Sequence, residues 1–184
     1  MPISETPKHP AHKIELNLRE VGQLFNTMDP APFPDKDLDS DAEEFILSWV
    51  HEFPLNEPVS LVVHLAELPA GEHPQTVVEQ GVHHYFAYRA RMNRMELRRL
   101  FSDGRKSLFI GLAFLSVCLM LSHAISGAGS GTFRSIAQES LTIAGWVAMW
   151  RPMQIYLYDW WPVRRRGKLF RKLSRMHVEI RKKS

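Results

Sequence analysis

One cysteine among 184 residues, Cys118, leaves no intramolecular disulfide and no cysteine-cluster zinc site. Its expected role is that of a small apolar packing residue, since it falls inside a hydrophobic run. No HExxH, CxxC, G-x-S-x-G, P-loop or Rossmann fingerprint occurs, so no catalytic, cofactor-binding or metal-ligating set is assigned. The first thirty residues contain no apolar h-region, so no signal peptide is expected and the amino-terminal part should stay where it is made. Charge is missing altogether from 107–126, SLFIGLAFLSVCLMLSHAIS, which holds no Asp, Glu, Lys or Arg. At about 1.5 Å of rise per residue, this run crosses a hydrocarbon core of about 30 Å as one helix. A helix satisfies its backbone polar groups internally, which is what a bilayer demands. The competing reading is a buried core helix of a soluble domain.

What is present divides by charge. The formal net charge of +3 conceals four Lys or Arg against fifteen Asp or Glu over 1–87, and nineteen against five over 88–184. Halves of −11 and +14 belong in different surroundings: an acidic soluble region, and a basic one beside anionic lipid headgroups. Because the positive charge brackets apolar segments, a lipid bilayer rather than nucleic acid is the expected partner.

Residues 1–12 read as a proline-rich tail and 13–103 as an α/β domain whose last helix leads into the membrane. KIELNLR (13–19) alternates Ile14, Leu16 and Leu18 on one face of a strand, and Val21, Leu24, Phe25 and Met28 then fall at the spacing of a short helix. The prolines at 30, 32 and 34 interrupt regular structure. Ser40 and Glu43 form an S-x-x-E capping box for a helix to Phe53, with Ala42, Phe45, Ile46, Trp49, Val50 and Phe53 as its buried stripe. The acidic run DKDLDSDAEE lacks the glycine and final Glu of a calcium loop, so helix capping explains it. VSLVVHLA (59–66) is the strongest strand, and a long helix carrying Val78, Val82, Tyr85 and Phe86 starts near Gln75. MHVEIR (176–181) is expected to return as a third strand, against a competing basic amphipathic helix through Leu169, Leu173, Met176 and Ile180. The inter-helix stretch 29–40 has no GXXG and is acidic, which excludes an RNA-binding KH module.

The fold class expected is therefore α+β: a small β-α-α-β-α cytoplasmic domain with a third carboxyl-terminal strand, fused to an antiparallel two-helix transmembrane hairpin over 104–163. Its spans are placed at about 107–126 and 140–162, followed by a basic tail, 164–184. Seven basic residues lie between Arg89 and Lys106 and ten between Arg164 and Lys183, whereas the linker 127–135 has only Arg134. The positive-inside rule then sets both termini in the cytoplasm, with a bacterial inner membrane as the expected location.

The second span contains Arg151, Pro152 and Asp159. Pro152 cannot bond back to the Ala148 carbonyl, so a kink is expected there. Arg151 has two readings. It is intramembrane and pairs with Asp159, a lipid phosphate or another subunit; or the span ends near Trp150, and 151–162 lies along the interface. Trp160 and Trp161 stand where an aromatic belt belongs, with Arg164, Arg165 and Arg166 as anchors beyond it. The stretch WRPMQIYLYDWWP with the preceding GWVAM resembles small, uncharacterised bacterial membrane proteins built on a two-helix hairpin. That resemblance implies the layout, but no activity and no site residues.

Nine histidines invite a search for metal ligands. His83 and His84 are adjacent and point about 100° apart on a helix, so neither they nor His64 are assigned to a metal. The expected function is a non-enzymatic, membrane-anchored docking or accessory subunit with a protein partner. Homo-oligomers through the small residues Gly111, Ala113, Ser116, Ala144, Gly145 and Ala148 also fit. The alternative is a homo-oligomeric ion or solute pathway, or a transporter accessory subunit, that uses Arg151 and Asp159.

Overall fold

Alternation in KIELNLR produces β1 (His12–Leu18), in which Ile14 and Leu16 are buried and Lys13, Glu15 and Asn17 are exposed. The computed structural model describes residues 12–32, 35–67, 74–126 and 131–183. The tail expected over 1–12 (His12 apart), the turn at 68–73 and the linker glycines at 127 and 129 lie outside the described residues. Two units separate: Met1–Met92 with Arg166–Ser184, and Asn93–Arg165.

In the first unit β1, β2 (Val59–Leu65) and β3 (His177–Lys182) form one parallel sheet in the order β1-β2-β3. Register aligns Ile14 with Leu61 and Val178, and Leu16 with Val63 and Ile180, so one face is a continuous apolar layer. The other face carries rows of Lys13, Ser60 and His177; Glu15, Val62 and Glu179; and Asn17, His64 and Arg181. β2 is central and, His64 apart, buried throughout, as a parallel strand with a neighbour on each side should be. Val78, Val82 and Phe86 of α2 (Pro74–Ser126) cover the apolar face together with Ala42, Ile46 and Val50 of α1 (Ser40–Glu52). Leu169, Phe170 and Leu173 of α5 (Trp160–Leu173) complete the core.

α1 departs from its expected details in two ways. Its N-cap is Asp39, which accepts from the Asp41 amide at 2.9 Å, so Glu43 is freed from the capping box. Phe45 and Trp49 stay on the outside, at 38% and 43% exposure, instead of joining the buried stripe.

The fold class read from sequence is corrected at two points. Between β1 and β2 stands one α-helix, not two: Val21–Leu24 makes only a 3-10 turn, because Phe25 turns extended and bridges Leu38. Nor is there a two-helix transmembrane hairpin, because α2 alone among the described residues is long and apolar enough to cross a membrane, by length and composition. The stretch expected as a second span begins earlier and is broken. α3 (Thr132–Ala148) has 17 residues including Arg134 and Glu139; a turn at Met149 separates it from α4 (Trp150–Gln154). A π-helical turn (Ile155–Asp159) then leads into α5. Pro152 has no N–H for the Ala148 carbonyl, and the helix is interrupted where that bond is missing.

In the second unit α2 and α3 run antiparallel and close. A methyl placed on Gly145 would stand 2.8 Å from Leu115 Cδ1 and 3.3 Å from Cys118 Cβ, and one on Gly111 would stand 3.1 Å from the Ala148 carbonyl. Two of the small residues considered for oligomer contacts are thus used inside the chain, and Cys118 is buried beside one of them.

Candidate functional site

Arg151 and Asp159, eight positions apart, are joined: Arg151 Nη1 donates to Asp159 Oδ2 at 3.3 Å. At 3.6 residues per turn eight positions overshoot two turns by about 80°, too far round for easy pairing. The π turn between them has wider i→i+5 bonding and more residues per turn, and it returns Asp159 towards the face of Arg151. The Arg151 side chain is 62% exposed, amid the exposed side chains of Trp150, Leu157 and Tyr158. Pro152 is buried, and Ile155 packs against Gly104, where an added methyl would be 2.9 Å from Ile155 Cγ2. Phe101 and Tyr156 meet with ring centroids 6.2 Å apart.

The expected interfacial anchors follow directly. Trp160 donates from Nε1 to the Tyr156 carbonyl at 2.8 Å, lies edge-on to Trp161 at 5.7 Å, and carries the Arg164 guanidinium over its ring at 5.5 Å. Trp161, Arg164, Arg165 and Arg166 are exposed. This is a Trp-Arg cluster with an apolar body and a charged rim.

The apolar stretch of α2 is mostly unburied. Only 17% of its most apolar window is buried. Phe109, Ile110, Phe114, Val117 and Met120 are exposed, as are Phe133, Ile143 and Trp146 on α3. A core helix of a soluble domain would be covered; this one leaves these apolar side chains open.

Within the first unit a polar cluster ties α1 to α2. Glu43 accepts from Tyr85 Oη at 2.7 Å and from Arg89 Nε and Nη2 at 2.8 and 2.6 Å. The Arg89 guanidinium also lies 5.4 Å from the Phe170 ring centre. Burial, then the bond to Glu43, pushes the Tyr85 phenol well above its ordinary value. Sequence reasoning missed this cluster, since Glu43 looked like a capping residue and Arg89 like part of a basic run.

The three histidines weighed as ligands go to separate partners. His64 faces Glu15 at 3.4 Å, His83 Nε2 meets the Met176 carbonyl at 2.6 Å, and His84 Nδ1 meets Asp35 at 2.8 Å. Among the described residues no three His, Cys, Asp or Glu side chains converge. His12 pairs with Glu57 and stacks on Phe53 at 4.2 Å. No family model, curated protein or solved structure matches the chain. The functional reading therefore rests on these side chains and the surfaces they leave open.

Proposed function

We propose that this chain is a non-enzymatic, membrane-anchored docking or accessory subunit, with its α/β unit and both termini on the cytoplasmic face of a bacterial inner membrane. The open apolar surface around 107–126 carries the anchoring: covering it with lipid removes from water side chains that the protein itself leaves exposed. The sheet supports the sidedness. β2 precedes α2 and β3 follows α5, yet they are hydrogen-bonded neighbours, so both flanks of the apolar stretch lie on the same side of a bilayer. Positive charge at 89–106 and 164–183 supports the cytoplasm, with its anionic headgroups, as that side.

The docking role is supported by Phe45 and Trp49 on α1. They lie one helical turn apart with ring centroids at 6.1 Å, exposed on a helix that also exposes Asp41 and Glu44. An exposed aromatic pair on an acidic helix suits a protein partner with a basic rim. Gentle solubilisation followed by native mass spectrometry tests it. A second protein at fixed ratio, lost in Phe45→Ser/Trp49→Ser, is the expected result; a bare monomer from unmodified membranes would overturn it.

A second reading is a homo-oligomeric pathway, favoured by the exposed Arg151–Asp159 pair amid apolar neighbours. Arg151→Leu separates the two. A pathway loses flux while assembly survives; a docking subunit loses association.

A further inference from the structure

At the carboxyl end of α5 the chain makes an open cleft of about 630 Å³, entirely within the first unit. Its walls carry Lys168, Arg171, Lys172 and Arg175, with His177 at the rim, and its floor is apolar: Pro58, Val59 and Met176. Among the described residues no carboxylate lines it. Glu57 acts on Lys172 from outside the lining and is paired with His12. Lys172 Nζ donates to the Pro54 carbonyl at 3.0 Å, and burial lowers its affinity for its proton. Arg171 Nε donates to the Gly167 carbonyl at 3.2 Å, and the side chains of Lys168 and Arg175 pair with no described residue.

A helix end attracts cations, because its free carbonyls amount to about half a negative charge. That half charge does not balance four fixed positive charges facing one hollow. What balances them is a group of roughly −1.5 to −2 with several acceptor oxygens, which is a phosphate and not a single carboxylate. Arginine forks suit phosphate oxygens in pairs, and the lysines add point charge. The volume falls within the roughly 300–1,000 Å³ usual for small-molecule sites, and the apolar floor accepts the carbon skeleton next to the charged group.

We infer that this cleft binds a phosphate group, presented either by a soluble phosphate compound or by the headgroup of an anionic phospholipid. The site is independent of the docking face on α1 and of the Arg151–Asp159 pair.

The test uses the full chain, delipidated in a neutral maltoside detergent. Radiolabelled pyrophosphate in equilibrium dialysis reports the soluble source. Native mass spectrometry after addition of phosphatidylglycerol or phosphatidylcholine reports the headgroup source. Arg171→Gln/Arg175→Gln removes two exposed charges without touching the core, and Lys13→Gln/Arg19→Gln removes the same charge elsewhere. The cleft variant is expected to weaken the probe that binds by about a hundredfold, roughly tenfold for each charge-assisted bond lost, while the control variant binds as the parent does. Pyrophosphate binding identifies a soluble compound, and selective retention of phosphatidylglycerol identifies the headgroup. Failure of both probes, or equal loss in the two variants, overturns the inference. If Arg171→Gln/Arg175→Gln shifts the thermal melt, Lys168→Gln/Arg175→Gln replaces it in the same comparison.

Discussion

Replacing Glu43 by Gln distinguishes two roles for one carboxylate. Were Glu43 a capping residue for α1, Gln would serve nearly as well, because the S-x-x-E box also accepts Gln at its fourth position. Paired instead with Tyr85 and Arg89, Glu43 loses its charge and the strength of all three bonds. Each hydrogen bond to a charged group is worth about 1.5–3 kcal/mol. The Arg89 side chain is 41% exposed, which places its share at the low end of that range. Together these give a loss of about 3 kcal/mol for Glu43→Gln, from interactions made in the folded unit only. Local hydrogen exchange read by mass spectrometry isolates α1 from the rest of the chain. About 3 kcal/mol corresponds to roughly a hundredfold faster exchange in 42–52, at one decade per 1.4 kcal/mol. Tyr85→Phe alone is expected to cost about 1 kcal/mol, and the double variant should cost less than the sum, because both remove the same bond. Strict additivity, or exchange within threefold of the parent for Glu43→Gln, would refute the cluster.

Tyr85 also predicts an alkaline effect. Its folded phenol holds its proton more tightly than the unfolded chain does, so the stabilisation is complete below about pH 10 and declines as pH rises beyond it. Tyrosinate absorbance of the folded chain should show one of the four tyrosines ionising late, and Tyr85→Phe should remove that laggard. Gly145→Leu should destabilise the contact of α2 with α3 by about 1–3 kcal/mol, whereas Gly145→Ala, meeting the flexible tip of Leu115, should be tolerated; thermal melts in detergent measure both. Asn93 is 5% exposed and its Nδ2 has no partner among the described residues, so Asn93→Leu should be neutral or stabilising in the same melts. A clear loss there would show that the amide has a role.

The strands were legible because alternation is local: Ile14, Leu16 and Leu18 in β1, and the continuous apolar run of β2, need no knowledge of the rest of the fold. The apolar stretch of α2 was legible for the same reason, since length and missing charge are properties of consecutive residues. Competition between partners was not. Glu43 satisfies the capping pattern, yet a phenol and a guanidinium that come from 42 and 46 residues away outbid the backbone amide. Phe45 and Trp49 fit the apolar period of α1, but the sheet is narrow and already covered by Ala42, Ile46 and Val50.

The second apolar stretch misled for a different reason. Counting Trp, Met and Tyr between 140 and 162 gives span-like composition, whereas the backbone obeys Pro152, breaks at Met149 and widens into a π turn. That widening is also what joins Arg151 to Asp159. Their pairing was one of the alternatives open from the sequence, and the wider turn brought them together at 3.3 Å. A local backbone irregularity of this kind has no residue signature beyond the proline.

The most direct test of the account is site-directed cysteine accessibility in a Cys118→Ser background, with a membrane-impermeant maleimide applied to intact and to lysed cells. Single cysteines at Glu15 in β1 and at Lys182 in β3 report the two flanks of the apolar stretch. Glu15→Cys and Lys182→Cys are expected to react only after lysis, because one sheet holds them on one side. Labelling of Lys182→Cys from outside, or recovery of the whole chain in the soluble fraction, would contradict it.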